Sequence, residues 1–85
     1  MNKHKIDQDN HELVAEFGGG YGWSKVYYDK QSNTFFEDSF HTGSVDDAAT
    51  WYDGRRELSK EELENRLISS ANYSLLSKLW GKGIL

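Results

Sequence analysis

The chain has 85 residues, and its apolar positions first acquire a rhythm at His11. Leu13, Ala15 and Phe17 alternate with Glu12, Val14 and Glu16, the period of a half-buried strand. Residues 18–22 then hold four glycines around Tyr21, which no regular element sustains cheaply, so a turn follows. Residues 23–28, rich in β-branched and aromatic side chains (Trp23, Val26, Tyr27, Tyr28), predict a second strand. The cluster Asp29, Lys30, Gln31, Ser32 and Asn33 predicts a turn, and residues 34–40 a third strand. With loops this short, the three strands form an antiparallel meander.

Beyond Thr42 and Gly43 the period changes. Val45, Ala48, Ala49 and Tyr52 fall on one helical face, with Ser44 as N-cap and Gly54 as stop, which predicts a short helix over 45–53. A rival reading makes Thr50, Trp51 and Tyr52 a fourth strand with a turn at Asp53 and Gly54. The strongest local signal comes next. Ser59 and Glu62 form a capping box, and Leu58 and Leu63 a hydrophobic staple. A helix from Lys60 toward Trp80, stopping at Gly81, carries a core stripe of Leu63, Leu67, Ala71, Leu75 and Leu79. Residues 69–72 are poor helix formers and mark a place where it could break. A second stripe, Tyr73, Leu76 and Trp80, needs another cover, from within the chain, from a partner or from a homodimer through this helix. The expectation is an α+β domain over 11–85, a three-stranded meander with a short helix and a longer C-terminal helix packed on it, behind a flexible tail over 1–10.

Composition sharpens this picture. Leu, Ile, Val and Phe make up 18 of the 85 residues, which alone leaves a thin core, but 12 residues are aromatic. The chain has no cysteine, which removes disulfide scaffolds and thiolate metal sites and suits a reducing, cytoplasmic setting. No apolar run is long enough to span a bilayer, and no apolar segment follows Lys3 and Lys5 as a secretory signal requires.

Catalytic and cofactor chemistry finds little support. The glycines at 18–22 lack the lysine and the following helix of a phosphate-binding loop. His4, His11 and His41 are not spaced to place two imidazoles on one helical face. The acids of Glu37–Asp38 and of Asp46–Asp47 are adjacent, whereas a catalytic pair needs a shared pocket and neighbours on a strand point to opposite faces. No catalytic residue, metal ligand or cofactor site is assigned.

Charge points to binding. The formal net charge is −4. Residues 1–54 carry four lysines against ten acids, whereas residues 55–85 carry six basic residues against four acids. An acidic, aromatic-rich sheet repels phosphate, which disfavours direct nucleic-acid binding. It suits a basic protein surface instead. The candidate anchors are Tyr21, Trp23, Tyr28 and Trp51, with Glu37, Asp38, Asp46 and Asp47 as charge complements. The competing reading is a nucleic-acid-binding regulator using the sheet aromatics and Arg55/Arg56. In size, acidity and aromatic content the chain is similar to small phage or mobile-element inhibitors, anti-CRISPR proteins among them, and to toxin-immunity proteins. Those groups share no motif, so the similarity implies a mode of action, occlusion of a partner, and no residue assignments.

Overall fold

Alternation of bulky and polar side chains gives strands here because a pleated surface buries one face and wets the other. In the computed structural model, which describes residues 5–43 and 49–85, four strands form one antiparallel sheet in chain order. They are β1 (His11–Gly19), β2 (Gly22–Asp29), β3 (Thr34–His41) and β4 (Trp51–Leu58). Helices α1 (Lys60–Ser69) and α2 (Tyr73–Gly81) follow. Val14, Ala15, Val26, Phe35 and Leu58 from the sheet meet Leu63 and Leu67 of α1 and Leu76 and Leu79 of α2 in a common core. Both helices therefore lie on one face, called here the inner face.

The sheet has four strands, which corrects the expected three-stranded meander. The helix foreseen over 45–53 fails at its C-terminal part, since Trp51, Tyr52 and Asp53 belong to β4; residues 45–48 lie outside the described residues. The physical reason is the burial available. A helix there would bury Tyr52 with two alanines and a valine, whereas β4 still packs Tyr52 opposite Phe40 and adds Leu58 opposite Phe35 in the core and Arg55 and Arg56 opposite Asp38 and Glu37. Gly54 stops no helix. It sits in the strand at φ +144°, beside a bulge opposite Ser39 and Phe40.

The one longer C-terminal helix is instead two, and the break falls at the weak helix formers where the sequence marked it. Ser59 and Glu62 close the capping box on α1 as the spacing predicts. The helix then ends in a Schellman turn, with Asn72 N–H donating to Leu67 O and Ala71 N–H to Ile68 O. Ala71 takes the left-handed position, φ 58°. The same turn recurs after α2, where Gly83 at φ 75° holds that position and Ile84 N–H reaches Leu79 O. The break lets α2 turn back so that Leu76 and Leu79 join the core.

Two adjacent acids of β3 hold β4, and one of them also holds α1. Glu37 points inward, where Arg56 and Arg66 of α1 hold its carboxylate. Asp38 points outward and is 1% exposed. Arg55 grips it with two guanidinium nitrogens, at 2.7 and 2.9 Å, and the Tyr52 hydroxyl donates to it at 3.0 Å. Each buried charge is matched and hydrogen-bonded, as burial requires. Residues 5–10 also contact the sheet: Arg55 donates to Lys5 O, and Asp7 O accepts from Asn10 and His11 N–H.

Candidate functional site

The glycine-rich turn closes β1 on β2 with two residues, Gly20 and Tyr21. Gly20 has φ +63°, at the position a type II′ hairpin reserves for glycine. At Gly18, φ +92°, a Cβ would come within 2.6 Å of Gly22 O, so only glycine lets the strands approach there. Tyr21 is thereby placed at the tip, 53% exposed. Its carbonyl accepts from Thr42 N–H at 2.8 Å, which ties the end of β3 to the turn.

The register puts Gly22, His41 and Trp51 in one row across β2, β3 and β4. The rings of His41 and Trp51 stack, with centroids 5.3 Å apart and an interplanar angle of 19°. His41 Nδ1 lies 2.7 Å from Asp53 Oδ1, which holds the imidazole in place. Trp51 is still 46% exposed. On the outer face of the same end, Trp23 stacks on Phe40 at 6.0 Å, and Phe40 packs on Tyr52 at 5.5 Å. Three of the predicted anchors, Tyr21, Trp23 and Trp51, thus come to one end of the sheet from positions 30 residues apart in the chain.

The other predicted residues lie elsewhere. Tyr28 sits at the opposite end on the inner face, tilted on Phe35, its hydroxyl donating to Asn33. Glu37 and Asp38 are buried and paired with arginines, so they offer no surface charge. Burial pushes the Glu37 carboxyl up. Hydrogen bonds from Ser24, Arg66 and Arg56, with the Arg66 charge, outweigh it and hold the group below the usual range. Asp46 and Asp47 lie outside the described residues. Of the second stripe, Leu76 is in the core, whereas Tyr73 and Trp80 are exposed and the Trp80 indole donates to Glu64 at 2.8 Å.

Sequence reasoning missed His41 and Asp53 at the tip. It also missed the arginine partners of Glu37 and Asp38. A signal for the latter was present: two adjacent acids on one strand match two adjacent bases on an antiparallel neighbour.

The described tip holds rings and an imidazole–carboxylate pair. In the sequence, residues 40–54 contain Asp46, Asp47 and Asp53 and no lysine or arginine. Among the described residues no three His, Asp or Glu side chains are placed to hold a metal ion. No described helix is long and apolar enough to cross a membrane. Compared with known proteins, the chain matches no family model, no curated protein and no solved structure.

Proposed function

We propose that the protein is a non-enzymatic, cytoplasmic binding protein that docks the ring-bearing end of its sheet on a basic surface of another protein and occludes it. One observation carries this reading: Tyr21 and Trp51, distant in sequence, are held at the same end of a rigid sheet with about half of each side chain exposed. Rigid aromatic side chains bury much area at low entropic cost, which makes them the usual anchors of interfaces. The net charge of −4, to which Asp46, Asp47 and Asp53 contribute, favours encounter with a basic partner. Glu37 and Asp38 have no part in this version of the proposal, because Arg55, Arg56 and Arg66 already neutralise them.

The test is capture from cells that express the chain, with mass spectrometry, comparing the native protein with Tyr21→Ala/Trp51→Ala. The expected result is one protein with a basic surface, bound by the native chain, released by salt and lost in the variant. Equal capture by both would overturn the reading. A gel shift of single- or double-stranded nucleic acid at low salt would replace it with the regulator that uses Arg55 and Arg56.

A further inference from the structure

The outer face of β1 and β2 carries a second pattern, one that complements itself. The register aligns three outward rows: Leu13 beside Tyr27, Glu16 beside Lys25, and Gly18 beside Trp23. Leu13 is 46% exposed, and Glu16 is exposed as well. Both helices pack on the other side of the sheet. From each row we infer that this half-face closes on a second copy of the chain, about a twofold axis parallel to the strands and lying between β1 and β2.

Under that rotation each β1 residue meets the β2 residue of its own row in the other copy. Glu16 meets Lys25 and Lys25 meets Glu16, an anion against a cation twice over. Leu13 meets Tyr27, apolar area against a ring. Trp23 meets Gly18, which presents only backbone. A twofold axis across the strands through that row would set Glu16 on Glu16 and Lys25 on Lys25, and like charges oppose it. Such a same-patch contact is the commonest symmetry of soluble oligomers. The β3–β4 half is less suited, because Asp38 and Arg55 satisfy each other and Arg55 also holds Lys5 O.

Size sets the strength. Two strands about 4.8 Å apart over some six residues offer roughly 200 Å² of plane per copy, far below the roughly 800 Å² per partner of a standard interface. The association is therefore reversible and concentration-dependent. It goes beyond the proposed docking end, since neither Tyr21 nor Trp51 enters it. Trp23 belongs to both surfaces, so self-association competes with capture for that one side chain.

The experiment is sedimentation equilibrium of the full chain from micromolar to millimolar concentration. A monomer–dimer equilibrium is expected, weakened at least about tenfold by Glu16→Lys, which sets lysine against lysine twice. The double exchange Glu16→Lys/Lys25→Glu restores the native strength, because it restores every opposition across the axis. A monomer at every concentration overturns the inference, as does a dimer indifferent to Glu16→Lys or a double exchange that fails to restore it. A dimer dissolved instead by Tyr73→Ser would assign self-association to the helices. None of these outcomes decides whether Tyr21 and Trp51 hold a partner, which the capture comparison tests separately.

Discussion

Asn10, Asp29 and Ser32 at one end of the sheet, and Tyr21, His41 and Trp51 at the other, close the same strands by different means. At the first end polar side chains serve the backbone. Asp29 Oδ1 accepts from the Asn10 amide and from Gln31 and Ser32 N–H, and Asn10 Oδ1 accepts from Gln31 N–H. At the second end glycines make the turn without side-chain help, and the large side chains are left to point outward. Turn chemistry that consumes its own polar groups builds stability. Turn chemistry left to glycine leaves neighbouring side chains available for another molecule. Stability and binding should therefore separate along the length of the strands.

The sharpest way to break that comparison is at the junction between the two ends. Asp38→Ala removes a carboxylate that is almost wholly buried and leaves Arg55 without its partner and Tyr52 without that acceptor. Breaking a buried pair from one side costs about 3–5 kcal/mol. The lower figure applies, because the Arg55 side chain is 30% exposed and can turn to water. Equilibrium denaturation of native and variant chains measures it. A loss near zero would mean that β4 is held by its ladder alone.

A smaller effect tests the polar end by pH. The Ser32 N–H and the Asn10 amide hold the Asp29 carboxyl below its ordinary value. Glu37 is also held low, by the groups described above. A carboxyl that is more acidic in the folded chain than in the unfolded chain stabilises the fold above its unfolded pKa. That stability disappears as the pH falls through the folded value. The denaturation midpoint should thus be steady near neutrality and fall in the acid range, beginning near the ordinary values of 4.5 for Glu37 and 3.8 for Asp29. Asp29→Asn should flatten the fall. A midpoint that rises on acidification would contradict the assignment.

Much of this architecture was legible in the sequence where one local rule acts alone. The capping box at Ser59 and Glu62 needs only backbone N–H groups and two side chains, and it forms as read. The first three strands were legible for the same reason. The faces of β1 were not. Leu13, Ala15 and Phe17 alternate in the sequence, but a bulge at Val14 sends Leu13 outward and turns both Val14 and Ala15 into the core. A bulge depends on the partner strand, which a local pattern does not contain. The same holds for Trp51 and Tyr52, whose spacing fits either period and whose pairing with His41 and Phe40 decides the matter. At the candidate site the rings were legible as candidates, since exposed aromatics are conspicuous in an acidic chain. The burial of Glu37 and Asp38 was not, because it depends on arginines 17 to 29 residues away.

The smallest expected change in stability is the most informative for function. Trp51 and Tyr21 are about half exposed, and neither belongs to the buried core. Trp51→Ala loses its stack on His41 but uncovers no buried polar group, and Tyr21→Ala leaves the backbone of the Gly20 turn as it is. Substitutions of this kind usually shift stability by no more than about 0.5 kcal/mol. Binding anchors of the same type cost 2 kcal/mol or more when truncated, roughly a thirtyfold loss of affinity. The two variants should therefore unfold with the native chain and fail to hold its partner. If they instead lower stability as Asp38→Ala does, their side chains belong to the fold, and the distinction between the two ends collapses.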